Sequence, residues 1–137
     1  MFILKKILNS STTSPDTTYM LASNEGFTYG SFVKAGSDGI LYNIDEGELP
    51  THVCCENLPK GVSKRILCFP ITDDMVFSAP TSSIMTDVLP GTTVSLIKNN
   101  SDTVNMVVED SVEGNLYIYD TCGVKDKGGR ILIRFAQ

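Results

Sequence analysis

Arg130-Ile131-Leu132-Ile133-Arg134-Phe135 puts Ile131, Ile133 and Phe135 on one side of an extended chain and Arg130, Leu132 and Arg134 on the other. Side chains of a strand alternate between faces, so this is the period of a strand with one face in a core and one in water. Upstream, the pattern recurs in short pieces: Asn115-Leu116-Tyr117-Ile118-Tyr119, Asn105-Met106-Val107-Val108-Glu109 and Thr93-Val94-Ser95-Leu96-Ile97. Asn99-Asn100-Ser101-Asp102 and Lys127-Gly128-Gly129 read as turns between them.

The first half follows the same plan. Thr28 to Lys34 reads as a strand, Gly36-Ser37-Asp38-Gly39 as a turn, and Ile40 to Ile44 as a strand closed by Asp45-Glu46-Gly47-Glu48. Thr51 to Cys55 and Arg65 to Phe69 look like hairpin partners across a loop containing Pro59 and Gly61, and Met75-Val76-Phe77 makes a short strand before Pro80. Ser82 to Leu89 is the one helix candidate, because Ile84, Met85, Val88 and Leu89 recur at helical spacing and Pro90-Gly91 stops it; an irregular loop fits the same residues. Strands at intervals of about ten residues, without strand–helix–strand alternation, predict a mainly β fold. The expected architecture is a single-domain antiparallel sandwich or partly open barrel with an N-terminal strand or arm and at most one short helix.

The N-terminus opens on the strand-like Phe2-Ile3-Leu4-Lys5-Lys6-Ile7-Leu8, followed by the polar Asn9-Ser10-Ser11-Thr12-Thr13-Ser14-Pro15-Asp16. This divides the chain into a strand and tether over 1–18 and a β domain over 19–137. The first strand either joins its own sheet or pairs with the edge of a partner's sheet, a known mode of recognition. Lys5-Lys6 cuts the apolar start short of a secretory signal, and no apolar run approaches the 20 or so residues that span a bilayer. The expectation is therefore a protein made in a cytosol, with no membrane partner.

The 137 residues suit one domain, and 42% hydrophobic residues suffice for an ordinary core. Gly 11 and Pro 6, with many Ser and Thr, favour turns over long helices. A net charge of −5 and only short, diluted basic clusters (Lys5-Lys6, Lys60 to Arg65, Lys125 to Arg130) argue against nucleic acid as a partner.

Chemistry is hard to find in the sequence. His52 is the single histidine, no G-x-S-x-G surrounds a serine, and Lys125 to Arg130 is not a phosphate loop because it feeds a strand. Asp73-Asp74, Asp45, Glu46 and Glu48 form no complete calcium loop. Adjacent Cys54 and Cys55 would point to opposite faces of a strand and share no metal, whereas Cys68 lies where a hairpin could bring it across from either; with Cys122, all four read as reduced, mostly buried thiols. A pair of His52 and Cys54 on one strand face is allowed by parity, although a core role fits both better. No catalytic residue, metal site or cofactor is expected.

From Ala35 onward the order of segments resembles small capsid decoration and head-fibre-type proteins of tailed bacteriophages. The Gly36 to Ile44 turn and strand leads into Leu49-Pro50-Thr51-His52-Val53, then Phe69-Pro70-Ile71-Thr72, Asp73-Asp74-Met75-Val76-Phe77, Pro90-Gly91-Thr92-Thr93-Val94-Ser95-Leu96 and Gly129 to Phe135. The resemblance implies a non-enzymatic virion structural protein on the capsid exterior, bound to the major capsid protein lattice as monomers or as a homotrimer. Under that expectation the capsid contact falls on Phe2, Ile3, Leu4, Lys5, Lys6, Ile7 and Leu8. Two other readings stay open: a fibre- or tail-associated β module, and a cytosolic β-barrel that binds a small ligand.

Overall fold

The computed structural model describes residues 1–8, 10, 14–81, 91–98, 104–108, 116–120 and 129–135. The described residues form strands joined by turns and contain no helix. Among the described residues eleven strands run in chain order as β1 (Ile3–Ile7), β2 (Thr18–Leu21), β3 (Phe32–Ala35), β4 (Leu41–Asn43), β5 (His52–Cys54), β6 (Arg65–Pro70), β7 (Met75–Pro80), β8 (Thr93–Lys98), β9 (Val104–Val108), β10 (Leu116–Asp120) and β11 (Arg130–Arg134). They make two antiparallel sheets, ordered β1-β7-β11-β10-β8-β9 and β2-β6-β5-β3-β4. The sheets pack face to face and neither closes into a barrel, which is the sandwich form of the expected architecture.

The alternation in β11 does what its period predicts. Ile131 and Ile133 are fully buried, with Ile133 opposite Phe77 of β7 on one side and Ile118 of β10 on the other. With Leu4 opposite Phe77, one inward row of apolar side chains crosses four strands. The facing sheet contributes Phe32, Val53 and Phe69 to this main core, alongside Ile44 from the end of β4. Phe32 is its hub: its ring stacks on Phe2 at 3.9 Å between centroids and meets Phe77 and Phe135 edge-on at 5.3 and 5.4 Å. Such aromatic pairs add about 0.5–1.5 kcal/mol each beyond their burial.

A second, smaller core lies on the other side of the five-stranded sheet. Val33, Cys54, Ile66 and Cys68 face it from β3, β5 and β6, and Ala22, Phe27, Leu41 and Leu58 complete it. Phe27 and Leu58 exchange backbone hydrogen bonds of 2.8 and 2.9 Å across this cap. At one end the edge strands β2 and β4 approach each other, where the Ser23 N–H donates to the Leu41 carbonyl at 3.0 Å. The two sheets are also strapped together at the turn after β4: the Gly47 N–H donates to the Leu96 carbonyl at 3.1 Å, and the Glu46 carboxylate accepts from the Lys98 N–H at 2.9 Å.

Several expectations shift. The strand expected from Thr28 starts only at Phe32, because Thr28 to Ser31 is a turn in which Gly30 takes φ +79. That backbone conformation suits glycine, and a Cβ there would also run into the Met1 side chain. Strand β2 falls where no strand was expected: Thr18–Leu21 has too few alternating positions to signal itself, yet pairs with β6 with Tyr19 opposite Leu67. The division at 18/19 therefore cuts into a strand and does not separate a tether from a domain. The helix candidate at Ser82 to Leu89, the turn at Asn99 to Asp102, and Cys122 lie outside the described residues.

Candidate partner-binding site

Of the two roles open to the N-terminal strand, the structure places β1 in the protein's own sheet. It pairs antiparallel with β7, and the register skips Lys5, a bulge between Leu4 and Lys6. The seven residues of the expected contact then divide. Phe2 is a core residue, 3% exposed, and its N–H donates to the Gly30 carbonyl at 3.0 Å. Leu4 and Ile7 pack against the same core, and Leu8 is half-buried with its N–H on the Asp74 carbonyl at 2.8 Å. Ile3, Lys5 and Lys6 are exposed. Of the seven, Ile3, Lys5 and Lys6 present their side chains outward, whereas removing Phe2 from its stack would open the core.

That edge is unpaired among the described residues, since β1 stands at the end of its sheet with β7 as its one neighbour. An unpaired strand edge is a row of N–H and C=O groups ready to accept another strand. Beside it runs a broken groove along the open side of the sandwich. Its middle is a cavity of about 290 Å³ lined by Met1 to Leu4 from one sheet and Val53, Cys54, Cys55 and Phe69 from the other. A smaller cavity of about 100 Å³ extends it past Tyr29 to Val104, and one of about 310 Å³ continues beyond Pro15 to Ile7, Pro70 and Met75. Lysines and a bulge on the edge discourage indiscriminate pairing with other strands.

The residues weighed for chemistry do not assemble into a reacting pair. The His52 Nδ1 lies 2.7 Å from the Thr51 hydroxyl, while the Cys54 thiol donates to the Glu56 carbonyl at 2.9 Å. Burial pushes the Cys54 thiol up to about 11, so at neutral pH it is a protonated thiol and a poor nucleophile. Cys68 stands directly opposite Cys54 on the neighbouring strand, is likewise pushed up to about 11 by burial, and both are free. Burial lowers His52 from its ordinary value, which keeps the ring neutral. Among the described residues no three His, Cys, Asp or Glu side chains gather around a common point.

The sequence did not single out the outer face of the six-stranded sheet. Lys6, Arg134 and Tyr117 fall in one cross-strand row there, through Val76 of β7. The parity of Arg130, Leu132 and Arg134 in β11 was the available signal. Which strands would flank β11, and so which side chains join its wet face, was not contained in that local pattern. Compared with known proteins, the chain matches no family model and no curated protein.

Proposed function

We propose that this protein is a non-enzymatic virion structural protein that decorates the outside of a tailed-phage capsid, attached through the free edge of β1. The observation that carries the reading is that edge: an unpaired strand carrying exposed Ile3, Lys5 and Lys6 beside an apolar groove between two sheets. Strand addition gives affinity through backbone hydrogen bonds, and side chains dropping into the groove give selectivity. The order of segments from Ala35 to Phe135, which resembles decoration proteins, supplies the target. A repeating lattice makes modest contacts durable when the attached protein is itself multivalent.

Truncating the first eight residues is not a clean test, since it also removes Phe2 from the core and β1 from β7. Lys5→Pro is cleaner: Lys5 falls at the bulge, where proline is tolerated, and proline on an edge strand blunts the addition of another strand. The experiment is co-sedimentation with undecorated capsids of the phage that encodes the protein, with the light-scattering mass of the free protein measured alongside. Saturable binding at a fixed ratio to the major capsid protein, lost in Lys5→Pro with the fold intact, is the expected result. Absence of binding by the unaltered chain overturns the reading, and a monomer whose melting temperature rises with a small molecule would replace it with ligand binding.

A further inference from the structure

Strand β7, next to the edge strand β1, is buried on both sides, which is unusual for a sheet whose outer side faces away from the main core. Met75, Phe77 and Ala79 belong to the main core, yet Val76 and Ser78, pointing outward, are also buried. Long cationic side chains lie flat over them. The Arg130 Nε donates to the Ser78 hydroxyl at 2.7 Å, and its Nη2 donates to the Ser78 and Met1 carbonyls at 2.9 and 2.6 Å. The Arg134 Nη2 donates to the Asp73 carbonyl at 3.1 Å. The Lys6 ammonium sits 4.6 Å from the centre of the Tyr119 ring.

Every one of these partners is neutral. The ion pairs among the described residues, Lys34 with Glu48 and Lys98 with Asp45, lie elsewhere. Among the described residues, none of Lys6, Arg130 and Arg134 is paired with a carboxylate, and the three share one face of a chain whose net charge is −5. Side chains already restricted in this way lose less freedom when they bind. Around them stand Tyr117, Leu132 and Ile3, half-buried or exposed, with the exposed Asp120 opposite Leu132 as the one carboxylate among the described residues in register with this row; Tyr and Arg are the residue types enriched at protein interfaces.

We infer that this outer face of the six-stranded sheet is a docking surface for a protein partner presenting several carboxylates. The spacing selects a surface over a small acid. Arg130 and Arg134 are four residues apart on one strand, about 13 Å, and Lys6 is two strands from Arg134, about 10 Å. No single small carboxylate bridges such a triangle. The net charge of −5 opposes a uniform polyanion such as a nucleic acid, whose whole length would feel the acidic remainder of the chain. A protein surface can place carboxylates at the three cations and neutral groups around them. The inference does not rest on the capsid reading, because it fixes the chemistry of the partner and not its identity; the face shares Ile3 and Lys6 with β1 but uses their side chains and not the backbone edge.

The test uses the full chain, isotope-labelled for amide NMR, titrated at low salt with a hexaglutamate peptide and, separately, with a single-stranded hexanucleotide. The expected result is a cluster of shifts at Lys6, Tyr117, Tyr119, Arg130 and Arg134 with the peptide, weakening as salt rises. Lys6→Gln and Arg134→Gln should each raise the peptide Kd about three- to fivefold, the size of one partly exposed charge contact. Lys6 is exposed, so its variant keeps the test sound even if Arg134→Gln folds poorly. Shifts spread equally over Lys60, Lys64 and Lys98, or no shifts at all, overturn the inference. So does tighter binding of the oligonucleotide at this face.

Discussion

The two sheets use the same alternation for different ends. In the five-stranded sheet, consecutive residues serve opposite cores: Phe32 and Val33, Val53 and Cys54, Phe69 and Cys68 each split between the main core and the smaller one. In the six-stranded sheet, Ile131 and Ile133 enter the main core while Arg130, Leu132 and Arg134 turn outward. A sheet with a core on each face contributes stability and rigidity, and its exposed large apolar side chains, Tyr19 and Leu21, are confined to its edge strand β2. The sheet with one wet face, and with β1 at its edge, is where recognition can reside without disturbing the core. On the proposed reading, structure and binding are divided between the layers, and the division can be attacked from either side.

The largest expected effect comes from the shared core. Phe32→Ala removes the ring that contacts Phe2, Phe77 and Phe135 and should cost about 3–5 kcal/mol, a large part of the stability of a domain this size. Ile66→Ala, in the smaller core, should cost about 2–3 kcal/mol, the low end for such a truncation, because fewer neighbours surround it. Urea unfolding followed by fluorescence and by circular dichroism checks both. One coincident transition, shifted further by Phe32→Ala, means that the sheets melt as a unit. Two transitions in Ile66→Ala would show instead that the smaller core is a separate cooperative element, and the layered picture would need revision.

The strand periods of β6, β8, β10 and β11 were legible because each is long enough for alternation to show, and the turn at Gly36 to Gly39 because its residue types demand it. Gly36 and Ile40 indeed close it, with a 2.9 Å hydrogen bond from the Gly36 N–H. What was not legible is partnership. Nothing local in Phe2 to Leu8 distinguishes a strand that pairs with β7 from one that pairs with another protein; the choice is made by Phe32, thirty residues away, which offers Phe2 a ring to stack on. Strand β2 was invisible for the related reason that four residues leaning on β6 need no pattern of their own. The cation face needed the sheet order before Lys6 and Tyr119 could be known as neighbours.

A middle-sized effect separates the cores by pH. The Cys54 and Cys68 thiols face the smaller core and are pushed up to about 11 by burial, against an ordinary value of 9.0. Between these values the unfolded chain has released the protons that the folded chain still holds. Folded stability is therefore complete below about pH 9 and falls as pH rises toward about 11. Lysines and tyrosines titrate in the same range, so the informative quantity is the difference between the unaltered chain and a Cys54→Ala, Cys68→Ala variant. The urea midpoint of the variant should decline less steeply across that window. Equal slopes would mean that the thiols are wetter than their burial indicates and that the smaller core is permeable.

The smallest expected effect lies at the rim of that same face. His52 shares strand parity with Cys54 but is half-buried, and desolvation lowers its pKa below the ordinary 6.5. As pH drops through 6.5, the unfolded ring takes up its proton before the folded one does, so stability should weaken on acidification and recover on return to neutrality. His52→Gln keeps a polar group of similar reach for the Thr51 hydroxyl and removes the titration. Thermal midpoints compared between pH 7 and pH 5.5 should therefore drop more for the unaltered chain than for the variant. Matching drops would show that the half-buried His52 ring does not carry the acid sensitivity, and the rim of the smaller core would then be insensitive to pH in this range.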